Sequence, residues 1–310
     1  MDICTRHLTC HPGLGRLSSC TQREEYKNES VSCLPHPFAV MAPAEVPKLS
    51  VYPMPFPQYP KPYDQEVIIT PRQHFLAEQS EYQDFRVPSS IILCFESVLM
   101  DHYRLQDFTQ SRRFWTGEMI YLGDEDRPVA LVGNFGIGGP AAAHLLEILI
   151  AAGVGHFVVV GHAGGLQKDR AVGSLVLCDQ AVRDEGVSHH YLAPEKYAHP
   201  SESLTHRLQV QLDATGMAYT LGTSWTISSM YRETKEEVRH YAEEGVAMVE
   251  MELASLFAVA TFREVHLAAL LVISDYVAFE EWDEHLHAQS TSEALFAAME
   301  VAQKALLKST

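Results

Sequence analysis

Apolar residues occur in short unbroken runs separated by stretches of helical spacing, from about residue 67 to the end of the chain. Runs of this kind, bounded by glycine or proline, read as strands buried on both faces. They predict strands over 90–95, 128–133, 156–161, 174–178 and 265–274. Between the second and third runs, residues 140–152 have the pattern of a buried helix, with Pro140 suited to its first turn. Residues 293–308 place Leu295, Phe296, Met299, Ala302 and Leu306 on one face of a closing amphipathic helix. Continuous apolar strands alternating with helices predict an α/β domain over 66–310 with a covered sheet. Residues 1–65 differ. They are polar and then proline-rich, with Pro43, Pro47, Pro53, Pro55, Pro57, Pro60 and Pro62, and carry too little apolar surface to order alone. That stretch reads as a flexible leader, within which Met41 is an alternative start.

At 310 residues, with 46% hydrophobic and 20% charged, a sizeable core is expected. A formal charge of −17 disfavours a nucleic-acid partner. No apolar run reaches the length of a membrane span, and the start lacks the apolar core of a secretory signal, so the cytoplasm is the expected compartment. Of six cysteines, Cys4, Cys10, Cys20 and Cys33 lie in the leader without a CxxC pair, and Cys94 and Cys178 read as buried thiols. His189 and His190 are adjacent, and on an extended strand their side chains point to opposite faces. No metal is expected.

Candidate chemistry collects at strand ends. Two glycine-rich stretches, 133–140 and 161–166, follow neighbouring strands and frame a crevice of the kind in which open α/β sheets bind ligands. The first lacks dinucleotide spacing. Its Gly136 and Gly138 offer close backbone approach beside a helix start, with His162 in the second stretch. Val249-Glu250-Met251-Glu252 sets two acids against an apolar segment. Buried carboxylates need partners, and a sugar diol is one candidate. Asp275 closes a buried strand, where a proton donor could meet a leaving group.

These stretches, together with Arg183 to Ser188 and Tyr231-Arg232-Glu233-Thr234, resemble the nucleoside phosphorylases and nucleosidases over about residues 120–280. The resemblance implies one α/β domain around a mixed, barrel-like sheet, flanked by helices and assembled as a dimer or hexamer. It implies a small-molecule nucleoside as ligand and no cofactor. Glu252 then grips the ribose hydroxyls beside Glu250, Met251 packs under the sugar, and Asp275 protonates the leaving base. Thr226, Met230 and Tyr231 line the base pocket. The Gln-x-Arg pair of the uridine branch falls nearest Thr234 and Glu236 here, so the resemblance does not imply uracil recognition, and Asp275 favours a purine or purine-like base.

The usual phosphate grip departs from the family pattern. Val159 stands where an arginine is expected and His162 where a threonine is expected. Arg112 or Arg113 could match an arginine lent by a neighbouring subunit. The Gly-x-Ala-Gly-Gly pattern is similar to the hydrolytic branch, in which an early-loop acid, Glu96 or Asp101 here, activates water. Hydrolysis is therefore expected slightly ahead of phosphorolysis. The alternative is a phosphorylase with inorganic phosphate as co-substrate and His162 on the anion. A non-catalytic nucleoside-binding protein on the same fold is a further alternative.

Overall fold

A computed structural model of the chain describes residues 56–78, 87–106, 110–114, 116–122, 129–277, 282–286 and 288–307. Met41, the four leader cysteines and most of the prolines fall outside the described residues. The strands are β1 (Ser90–Cys94), β2 (Ser111–Phe114), β3 (Gly117–Tyr121), β4 (Val129–Gly133), β5 (His156–Gly165), β6 (Leu175–Asp184), β7 (Tyr197–Ala198), β8 (Tyr219–Ile227), β9 (Met248–Glu250), β10 (His266–Tyr276) and β11 (Asp283–Glu284). The helices are α1 (Pro71–Glu78), α2 (Ser97–Arg104), α3 (Gly139–Ala151), α4 (Glu202–Thr215), α5 (Lys235–Glu243), α6 (Leu253–Phe262) and α7 (Gln289–Leu307).

All strands belong to one mixed sheet in the order β11-β10-β6-β8-β9-β5-β1-β4-β3-β2, with β7 on β6. A further parallel pairing of β10 with β5 closes β5, β10, β6, β8 and β9 into a ring. The barrel-like sheet is thus built around β5, and β1, β4, β3 and β2 extend it to one side. One apolar cluster joins the sheet to α3 and α6 through Leu145, Leu149, Phe257 and Phe157. A second joins it to α4 and α7 through Leu204, Leu208, Met299 and Val158. Successive residues of β5, such as Phe157 and Val158, enter opposite clusters, which is why the strand sequence is apolar without a break.

Three sequence expectations shift. The second glycine cluster is strand, not loop: β5 runs through Gly165, because β9 and β10 pair with its glycine end. The fourth strand extends to Asp184 rather than ending at Cys178. His189 and His190 lie on the 3-10 turn Ser188–His190 rather than a strand. Its backbone turns back because Glu185 accepts hydrogen bonds from the amides of Val187 and Ser188 at 2.6 and 3.0 Å. Among the described residues, no helix is long and apolar enough to cross a membrane.

Candidate active site

The glycine end of β5 faces a cavity of about 1380 Å³ lined by residues from four regions distant in sequence. The first is β10. Its register with β5 runs Ile273 to Ala163 and then Asp275 to Gly164, so Ser274 is an extra residue in a bulge. A one-residue bulge re-aims the side chain that follows it, and Asp275 lines the cavity although it is nearly buried. Ser274 Oγ donates to Asp275 Oδ1 and Trp282 Nε1 donates to Oδ2, both at 2.7 Å. A Cβ at Gly164 would sit 3.1 Å from Val249 and 3.3 Å from Val277, so a larger residue would push on β9 and on the chain after β10.

The second region is the turn from β9 into α6. Helix α6 is buried on every side from Leu253 to Ala260, so water cannot reach its first amides, and they need protein acceptors. Glu250 supplies them: one oxygen accepts from the amides of Glu252 and Leu253 at 2.6 Å each, and the other from Ser224 Oγ at 2.8 Å and Thr226 Oγ1 at 2.5 Å. Its acceptor capacity is spent within the protein. Both acids border the cavity, but their partners differ, and those of Glu250 make it the anchor of the helix start. Thr226, expected at the base, is also buried scaffold, donating to Glu250 and accepting from the amide of Ala254 at 2.9 Å.

Glu252 is the less occupied acid. It accepts from the amide of Gly138 at 2.5 Å and from that of Met251 at 3.3 Å, and both Glu252 and Met251 line the cavity. Burial pushes the Glu250 carboxyl up, while Thr226, the two amides and Ser224 pull it back. Burial raises Glu252 as well, and the neighbouring Glu250 charge raises it further. Four donors counter the rise at Glu250, whereas Glu252 has only two amides to set against burial and the Glu250 charge.

The third region is the loop after β1. Glu96 Oε1 accepts from the His162 amide at 3.2 Å, and Oε2 lies 3.1 Å from His162 Nδ1. Among the described residues, His162 Nε2 is buried with no hydrogen-bond partner, and His162 lines the cavity. Asp101 does not join this group: it is exposed on α2 and paired with Arg104 at 2.5 Å. Arg112 and Arg113 are exposed on β2, and neither lines the cavity. Gly138 contributes its amide to Glu252 rather than to an anion, and Gly136 lies outside the lining, where Ile137 takes its place. Val159 is buried in the apolar core.

The fourth region is the 3-10 turn Met230–Arg232 and the start of α5. Met230 and Tyr231 line the cavity as expected, and Glu233 joins them. Burial, then the Asp275 and Glu237 charges, push the Glu233 carboxyl up to about 7. Sequence reasoning passed over Glu233 and Trp282. Glu233 stood within the quoted Tyr231–Thr234 motif, but nothing in the motif says which member turns inward. Among the described residues, no group of three or more histidines, cysteines or acids is placed to hold a metal.

The arrangement sets a nearly buried acid held by two amides, a second acid at a strand end and a half-buried histidine around one cavity. The model of the phosphorylase superfamily matches residues 98–308. The chain belongs to that superfamily. It is similar to the guanosine phosphorylase of Halorubrum lacusprofundi, 30% identical over 208 residues that cover 64% of this chain and 81% of that protein. It is also similar to the uridine phosphorylase of Treponema pallidum, 29% identical over 187 residues, 56% of this chain and 72% of the relative. Among solved structures, uridine phosphorylase from Vibrio fischeri ES114 shares the fold with a TM-score of 0.62 at 22% identity, covering 72% of this chain and 93% of that one. Purine nucleoside phosphorylase from Toxoplasma gondii, in complex with immucillin-H, does so with a TM-score of 0.65 at 15% identity, covering 71% and 91%.

Proposed function

We propose that this protein cleaves the N-glycosidic bond of a nucleoside with inorganic phosphate as acceptor, favouring a purine or purine-like base and using no cofactor. The observation that carries the reading is the placement of Glu252, Met251 and Asp275 on one cavity. As the bond from C1′ to the base breaks, the sugar gains positive charge and the base takes the electron pair. A carboxylate on the ribose hydroxyls favours the first change, and proton delivery at Asp275 favours the second. A phosphate oxygen bonds to C1′, giving ribose 1-phosphate and free base. Binding the diol replaces the solvent that Glu252 has lost, and the diol's two O–H donors favour its ionised form.

Water ranked ahead of phosphate on the sequence pattern alone. Phosphate fits better once the relatives are set beside the site, since the guanosine and uridine enzymes it resembles are both named phosphorylases. His162 supports the same acceptor. Glu96 occupies Nδ1, and a protonated Nε2 can donate to an anion. One observation favours hydrolysis: β5 carries Val159, not a cation, beside the glycine end. The test is base release from a panel of purine and pyrimidine nucleosides, with and without phosphate. Release that requires phosphate supports the proposal. Equal release without it transfers the role of acceptor to water, and no release from any nucleoside refutes both.

A further inference from the structure

The cavity lies at one end of β5 and β10, and a separate cluster of titratable side chains lies at the other. His156 and His266 open the two strands and face each other in register. Their rings stack with centroids 5.0 Å apart and 22° between the planes. The start of α4 closes over His266, whose Nδ1 lies 3.0 Å from Ser201 Oγ and 3.4 Å from Ser203 Oγ. Arg207 follows Ser203 by four residues, one helical turn, and so stands on the same face of α4. Two imidazoles, a guanidinium and two hydroxyls thus meet at one place, roughly 20 Å along β5 from His162.

What this group lacks is an acid. The chain carries 40 Asp and Glu against 23 Lys and Arg, and Arg104 and Arg263 lie on Glu118 and Glu147. Among the described residues, Arg207 makes no ion pair or hydrogen bond; burial lowers its guanidinium, and no carboxylate raises it. Burial, then the charges of Arg207 from α4 and His266 from β10, push the His156 imidazole down. Ser90, its partner on β1, is uncharged. An anion among these groups reverses their mutual repulsion, because its charge favours each imidazolium and occupies the guanidinium. We infer that the amino-terminal edge of β5 and β10, with the start of α4, is a second anion site, which takes a phosphate group through Arg207, His156, His266 and the hydroxyls of Ser201 and Ser203. The planar guanidinium fork and the several separate donors suit a tetrahedral oxyanion. Binding takes up protons at the imidazoles and therefore weakens as pH rises.

The experiment uses the full chain with isotopically labelled histidine. The ring signals of His156, His266 and His162 are assigned by magnetic resonance from the variants His156→Gln, His266→Gln and His162→Gln. Inorganic phosphate and ribose 5-phosphate are titrated separately at constant ionic strength, with chloride as the control anion. Saturable shifts of the His156 and His266 signals are expected. Affinity falls roughly ten- to a hundredfold in Arg207→Gln, the loss expected of a charge-assisted contact, and stays near the wild type in Arg207→Lys. The His162 signal reports the cavity and responds to phosphate equally in Arg207→Gln, so the two sites are read apart. A tighter response to ribose 5-phosphate assigns an organic phosphate as the ligand, and an equal or weaker one assigns free phosphate. No saturable shift, the same shift with chloride, or undiminished affinity in Arg207→Gln overturns the inference and leaves the reaction in the cavity standing.

Discussion

Removing the Glu250 side chain isolates the anchoring of α6 from the chemistry of the sugar. In Glu250→Ala, four donors lose their acceptor: the amides of Glu252 and Leu253 and the hydroxyls of Ser224 and Thr226. The hydroxyls can rotate toward other acceptors, but the two amides are fixed at the start of a helix buried all round. Each stranded buried amide costs about 1–3 kcal/mol. The two together cost about 2–6 kcal/mol, and relief of one buried charge offsets part of this, leaving a net loss of about 2–4 kcal/mol. For a domain of this size that lowers Tm by roughly 10 °C. Glu250→Gln fares better, because a flipped amide turns its oxygen to both backbone N–H groups and its NH2 to the hydroxyls. Only charge assistance is lost, about 1–3 kcal/mol. Thermal melts and urea denaturation of the three proteins check the ranking. An E250A protein within about 1 kcal/mol of the wild type, or an E250Q protein as unstable as E250A, would refute the anchoring role.

Three other outcomes follow from the same geometry. Glu252→Gln lowers kcat/KM for nucleosides by roughly ten- to a hundredfold, because charge-assisted bonds to the diol are lost, while the fold stays intact. It also changes the pH dependence of stability. The Glu252 carboxyl is raised in the fold, so on raising the pH the unfolded chain gives up this proton first, and wild-type stability falls from the ordinary carboxylate range upward; urea midpoints against pH should fall less steeply in E252Q, and parallel curves would contradict the raised carboxyl. Asp275→Asn removes the proposed proton donor and slows base release by about a hundredfold or more, whereas Trp282→Phe, which frees Oδ2 without altering the carboxyl, spares most of the rate. Gly139→Ala destabilises by about 1–3 kcal/mol in urea titrations, since its Cβ would stand 2.2 Å from Ser255 Oγ where α3 crosses α6.

The core strands were legible because burial on both faces leaves an unbroken apolar run, as in Val129–Gly133 and His156–Gly161. Helix α3 was legible from Pro140 at its start. Glu252 and Asp275, which line the cavity, stood out in the sequence because acids are conspicuous against apolar neighbours. What stayed hidden depends on register between distant strands. Gly161 to Gly165 reads locally as a loop, and only pairing with β9 and β10 makes it strand. The Ser274 bulge, which aims Asp275, exists only relative to Ala163 and Gly164. Glu250 and Glu252 look equivalent along the chain. Ser224 and Thr226, brought in by β8, occupy one oxygen of the first and distinguish it from the second. His162 was visible as a departure, but its tie to Glu96 needed the fold.

The sugar product tests the central claim most directly. The full chain is incubated with a purine nucleoside and isotopically labelled phosphate, and the products are identified by mass. Ribose 1-phosphate carrying the label, formed together with free base, is the predicted result. Free ribose as the sole sugar product, at a rate indifferent to phosphate, would contradict phosphorolysis and give Glu96 and His162 to the activation of water.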